Sequence, residues 1–231
     1  MYKRQGQTSR AQKGQIDDFN TYHENILEWI KIANEYKIPT FVLGVGLGGL
    51  IILNLLEKTE LSIEGILLFS PMLELKKDYK GRKNKLISNV GKISKDTRFK
   101  VGITPHDLTR NDEIIEETAN DGLMLKKVTY SWYNLINEKM KETMDHIRDI
   151  KPISALIMYG TKDKILETQS INEMKDKLKS KEMYFKVWDG LYHEIHNEPE
   201  RDLVMRYVLS FLNNSVNTMG FIVNEEEIED I

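Results

Sequence analysis

The chain has 231 residues and no cysteine, and its 33 Lys and Arg against 36 Asp and Glu leave a formal net charge of −3. That length suits one sizeable domain burying roughly 70–75% of its unfolded surface, and a composition 40% hydrophobic and 30% charged excludes a disordered or fibrous chain. Disulfides, thiolate metal sites and a cysteine nucleophile are excluded with the cysteines, and no apolar run reaches the ~20 residues that span a bilayer.

Met1 is followed by Tyr2, Lys3, Arg4 and Gln5 with no apolar h-region, so no secretory signal is expected and a cytoplasmic location is the default. Asp17–Tyr36 carries Phe19, Ile26, Ile30 and Ala33 at helical spacing, with Pro39 just beyond its end. Thr40–Leu43 reads as a strand, Leu47–Glu57 as a helix apolar nearly all round, and Gly65–Phe69 as a second strand. From about Leu75 to Asp149 no strand is expected, while Asp112–Glu117 and Val128–Met140 read as helices. Strands follow at Ala155–Tyr159 and Tyr184–Trp188, and helices at Thr168–Leu178 and Pro199–Leu212, with Pro199 placed in the first helical turn. The four near-continuously apolar strands are those of a parallel sheet buried on both faces, and their alternation with helices predicts an α/β fold with right-handed crossovers. A long helical insertion between two such strands is expected to lie over the strands' C-terminal ends, where ligands bind in this class.

The segment Phe41-Val42-Leu43-Gly44-Val45-Gly46-Leu47-Gly48-Gly49-Leu50 runs from a strand through a glycine-dense turn into the buried helix. Gly44, Gly46 and Gly49 match the G-x-G-x-x-G of dinucleotide binding. That chemistry needs an acidic residue at the end of the next strand, which here ends Phe69-Ser70-Pro71, with Glu64 at its wrong end. The alternative is a nucleophile elbow, G-x-S-x-G, framed by Gly44, Gly48 and Gly49, with Gly46 at the serine position. Glycine there keeps the turn and removes the nucleophilic oxygen.

The order of later residues favours the elbow. Asp163 follows the third strand and His193 the fourth, the nucleophile, acid, base order of α/β-hydrolases. Taken singly, Asp163 reads as a turn residue and His193 as a loop histidine bonded to backbone; taken as a pair, they read as an orienting carboxylate and a general base. His193 and His196 lie three apart, but no H-E-x-x-H pattern or third ligand accompanies them, so no metal site is expected.

At these residues the chain resembles the lysophospholipase and monoacylglycerol-lipase-like α/β-hydrolases, also called serine aminopeptidase S33-like, from about Gly6 to Asn213. Gly6-Gln7 with Gly14-Gln15-Ile16, Ser70-Pro71, Leu108-Thr109-Arg110-Asn111 with Asn120-Asp121-Gly122-Leu123, and the histidine loop Gly190-Leu191-Tyr192-His193-Glu194-Ile195-His196-Asn197-Glu198 carry the resemblance. It implies an α/β-hydrolase fold, a mostly parallel sheet flanked by helices, with the core in residues 1–74 and 150–214, a helical cap in 75–149 and an acidic tail in 215–231. It implies hydrolysis of a small lipid-like ester without a cofactor, with Asp163 orienting His193 and the Leu47 N–H as an oxyanion donor. The chain departs from the family at Gly46. It also begins after the position of the family's early strands and of their H-G loop, so that a fragment or a divergent homologue is expected, with Thr40–Leu43 an exposed apolar edge. A homologue without catalysis that binds lipid or a protein partner is the alternative function.

Between Lys76 and Lys100 lie ten Lys and Arg residues against Asp78 and Asp96, a local charge of +8. This is either a solvated cap face or a surface for anionic membrane lipid. Sparse aromatic residues there and the acidic balance of the chain argue against nucleic acid. Trp132 and Tyr133 are expected to be packing residues of the cap, with an acyl-pocket wall as the sharper reading.

Overall fold

The structure, a computed structural model, describes residues 14–80, 96–122 and 124–217. Its frame is a four-stranded sheet of β1 (Phe41–Val45), β2 (Gly65–Phe69), β5 (Ser154–Gly160) and β6 (Met183–Trp188), in the order β1-β2-β5-β6. All three pairings are parallel, with Phe41 opposite Gly65, Gly65 opposite Ser154 and Ala155 opposite Met183. Every residue of β2 and β5 is buried, which is why these strands read as unbroken apolar runs.

Successive side chains point to opposite faces and build two cores. Ile66, Leu68, Ala155, Ile157 and Tyr159 face one layer, with residues of α1 (Asn20–Asn34), α2 (Leu47–Leu56), α6 (Tyr130–His146) and α7 (Gln169–Lys177). Leu67, Phe69, Leu156 and Met158 face the other, where α8 (Arg201–Asn217) contributes Val204 and Phe211. On its outer side β1 meets no strand among the described residues, and Leu43 is 52% exposed. An apolar groove of about 380 Å³ runs along that edge between Trp29 and Ile30 of α1 and Val42 and Leu43 of β1. No helix among the described residues is long and apolar enough to cross a membrane.

The stretch from Leu75 to Asp149 differs from expectation. Besides the short α3 (Lys77–Lys80), α4 (Pro105–Leu108), α5 (Asp112–Asn120) and α6, it contains a two-stranded antiparallel ribbon of β3 (Arg98–Lys100) and β4 (Lys127–Thr129). Three residues per strand are too few to establish a period of two. Val128, expected in a helix, lies in β4, and α6 begins two residues later because the Thr129 side chain accepts the Trp132 N–H as its N-cap. Pro199 likewise precedes α8 instead of lying in its first turn. The Gly14 carbonyl accepts the Thr129 N–H (2.9 Å), tying the Gly14-Gln15-Ile16 run to the ribbon. Trp132 and Tyr133 are packing residues: the indole donates to the Tyr22 hydroxyl (3.1 Å), and the Tyr133 hydroxyl donates to the Tyr79 carbonyl (3.0 Å). Gly6-Gln7, residues 81–95 of the basic stretch, Leu123 and the acidic tail beyond residue 217 lie outside the described residues.

His23, on the buried face of α1, is 5% exposed. Burial first, then the positive charges of Lys58 and Lys139, hold its imidazole down to about 4, against the opposing pull of Asp18 and Glu142. The folded value lies below the unfolded one, so the unfolded chain binds more protons between them. The contribution is whole above about pH 6.5 and is lost as the pH falls towards 4. It amounts to at most about 3 kcal/mol. His23→Phe is expected to flatten the fall of the urea midpoint between pH 6.5 and 4. Parallel curves for the two proteins would contradict this origin.

Candidate active site

Three loops at the C-terminal ends of β1, β5 and β6 converge on one point. The first is the turn from β1 into α2, where Gly46 adopts φ 53° and ψ −115°. Residues with a Cβ rarely enter this region, and glycine enters it freely. The turn is bolted to the end of β2. The Gly46 N–H donates to the Phe69 carbonyl (2.9 Å), and the Gly46 carbonyl accepts the N–H groups of Met72 (2.9 Å) and Gly49 (3.0 Å). Leu47, the first residue of α2, carries an N–H with no acceptor inside the helix and lies at its positive dipole end.

The second loop, after β5, carries Asp163, whose side chain is fully buried. One carboxylate oxygen, Oδ1, accepts the backbone N–H groups of Ile165 (2.8 Å) and Leu166 (2.9 Å), and Oδ2 bonds the His193 Nδ1 (2.8 Å). The Lys76 ammonium donates to the Asp163 carbonyl. Burial would push the Asp163 carboxyl up; the charge and hydrogen bond of His193 and the N–H groups of Leu166 and Ile165 outweigh it and hold it below the usual carboxylate range.

The third loop, after β6, carries His193, 3% exposed. An ionised carboxylate only accepts, so the shared proton belongs on Nδ1 and leaves Nε2 as an acceptor. Nε2 faces the turn: a Cβ built on Gly46 would lie 3.0 Å from Nε2 and 3.6 Å from Cε1, with no other atom of the described residues within 4 Å beyond its chain neighbours. The structure thus brings Gly46, Leu47, Asp163 and His193 into one site. His196 lies against the Phe69 ring (centroids 6.1 Å). Burial, with the charge of His193, keeps its imidazole below the ordinary value against the opposing Glu194. Among the described residues no three His, Cys, Asp or Glu side chains are placed to hold a metal.

A carboxylate–imidazole pair aimed at a glycine turn, on the C-terminal rim of a parallel sheet, defines the site of an α/β-hydrolase. The sequence pattern described as "Serine aminopeptidase, S33" matches residues 3–200, and the chain belongs to that family. Among curated proteins it is 29% identical over 213 residues to "Phospholipase YtpA" of Bacillus subtilis, covering 92% of this chain and 82% of that one. It is 37% identical over 57 residues to a "Monoacylglycerol lipase" of Mycolicibacterium smegmatis, a match covering 25% of this chain and 20% of that protein. The fold is shared with a monoacylglycerol lipase of Paleococcus ferrophilus (TM-score 0.78, 20% identity, 93% of this chain and 81% of that one). It is shared also with a soluble variant of the monoglyceride lipase of Saccharomyces cerevisiae (TM-score 0.80, 19% identity, 92% and 75%).

Arg110 and Glu198 lie within the cap and histidine-loop motifs, where the sequence by itself attaches no role to either. In the structure Glu198 is fully buried and Arg110 is paired with it (Nε to Oε2, 3.0 Å). A charged residue inside a motif-bearing loop was the available signal; its partner, 88 positions away, was not visible in the chain.

The turn geometry yields a stability test. Gly46→Ser is expected to cost about 1–3 kcal/mol through the left-handed backbone and the tight approach to His193. Gly48→Ser, inside α2 with no atom of the described residues beyond its own helix backbone within 4 Å of its Cβ position, should stay within about 0.5 kcal/mol of the native chain. Equal costs in denaturant titrations would contradict this description of the turn.

Proposed function

We propose that the chain hydrolyses carboxylic esters of lipid-like alcohols, of the monoacylglycerol or lysophospholipid type, with His193 acting on water in the place of a serine. The observation carrying this reading is the intact Asp163–His193 pair (2.8 Å) with Nε2 directed at the Gly46 turn. A water held by Nε2 above the Gly46 turn, in van der Waals contact with the glycine and not in place of a Cβ, is within reach of the base at about 3 Å. His193 takes a proton from that water as its oxygen bonds to the ester carbonyl carbon. The carbonyl oxygen becomes an oxyanion that accepts the Leu47 N–H at the start of α2. The C–O bond to the alcohol then breaks, and the imidazolium returns its proton to the leaving oxygen. Ester and water become acid and alcohol, and Asp163 stays ionised throughout, holding the ring and compensating its transient charge.

The similarity to a phospholipase and to a monoacylglycerol lipase supports the substrate class. We assign residues 75–149 as a cap over the site, with the basic stretch between Lys76 and Lys100 drawing the chain to anionic lipid surfaces. Equal binding to neutral and anionic vesicles would remove that last assignment. Turnover is expected to be slow, because triad enzymes stripped of their nucleophile keep only ~10³–10⁴-fold acceleration over water. A second reading, a silent homologue that binds lipid or a protein partner, is favoured by Gly46 alone, which has no atom that can attack.

Hydrolysis of a short-chain ester by the native chain, His193→Ala and Gly46→Ser separates the two. Native turnover that disappears in His193→Ala is the expected result. Turnover confined to Gly46→Ser would establish the silent reading instead.

A further inference from the structure

We infer that Glu198 is a positioning residue for His193, and that it works with Leu108, Thr109 and Arg110 as one strap across the histidine loop. The inference rests on the proposed role of His193 as the base.

His193 lies in the loop between β6 and α8, outside the strand pairings of the described residues. Glu198 supplies part of what is missing. Its side chain is fully buried, and a carboxylate is retained there only when both oxygens are engaged. Oε1 accepts the Tyr192 N–H (2.6 Å), in the residue immediately before His193. Oε2 accepts the backbone N–H of Arg110 (3.2 Å) and its Nε (3.0 Å). The second arm of Arg110 reaches Glu200 (2.5 Å).

The strap also holds the far side of His193. The Glu194 N–H, in the residue immediately after it, donates to the Leu108 carbonyl (2.8 Å), and the Thr109 hydroxyl donates to the Asn197 carbonyl (2.9 Å). Lys164, next to Asp163, donates to the His106 carbonyl (2.8 Å) and stands over the Tyr192 ring at 4.0 Å. The peptides on both flanks of the imidazole, the first through Glu198, and the loop of its carboxylate partner are therefore fastened to the same five-residue segment, 106–110. Removing Glu198 frees the backbone before His193 while leaving Asp163, His193 and Gly46 chemically untouched. A buried ion pair is weak evidence for stability; here its bonds converge on the flank of the base.

The test reads the His193 Nδ1 proton by NMR in the native chain, so it needs no turnover and stands or falls apart from the ester-hydrolase reading. The native protein should give a low-field Nδ1–H resonance from the bond to Asp163. In Glu198→Gln, and in Arg110→Ala, that resonance should vanish or exchange with solvent roughly tenfold faster or more. Met174→Ala, a core truncation in α7 outside the site, serves as the stability control and should lower the melting temperature without moving the resonance. Arg110 is one-third exposed, with its side chain at 33%, and carries the test alone if Glu198→Gln does not fold. A resonance and exchange rate in Arg110→Ala and Glu198→Gln indistinguishable from the native chain would overturn the inference. So would the absence of the resonance from the native chain.

Discussion

The hydrogen bond between Asp163 and His193 is the contact on which the site depends, because it decides where the imidazole points and which nitrogen is free. Its strength comes from the acceptor side. Two backbone N–H groups at Ile165 and Leu166 and the imidazole itself keep a fully buried carboxylate ionised, and an ionised acceptor in a dry site makes a strong bond. The three participating loops leave strands of one parallel sheet at the same end, with β2 between the first and the other two, so the sheet fixes their separation before any side chain is placed.

Gly46 then sets what the site can do. The elbow persists without a serine because its geometry is a backbone matter: a left-handed residue bolted by its own N–H and carbonyl to the end of β2 and the start of α2. What is lost is one oxygen, and with it the covalent route that divides ester hydrolysis into two easier steps. The buried Asp163–His193 pair and the helix terminus remain, and in the proposed reaction these are the parts that stabilise charge. An active site can lose its nucleophile without losing the electrostatic arrangement around it.

Much of this arrangement was legible in the chain. The four strands of the sheet emerge within two residues of their expected ends, because fully buried parallel strands are continuous apolar runs and glycine and proline punctuate them. Asp163 and His193 were legible from order and placement after strands, and Gly46 from the glycine frame. The β3–β4 ribbon was not, since three residues carry no periodicity: Phe99 is half-buried between two exposed neighbours, and in β4 Val128 and Thr129 are both buried. Neither was the Arg110–Glu198 pair, whose partners meet only once the inserted segment folds back over the sheet. His23 was equally silent: on an amphipathic helix a buried histidine reads like any polar residue until α2 and α6 close over it.

A crystal structure of the native chain at neutral pH tests the arrangement most directly. The expected density shows the His193 ring bonded through Nδ1 to Asp163, with an ordered water about 3 Å from Nε2 beside Gly46. An imidazole rotated away from Asp163, or directed elsewhere than the turn, would contradict the assignment of this site.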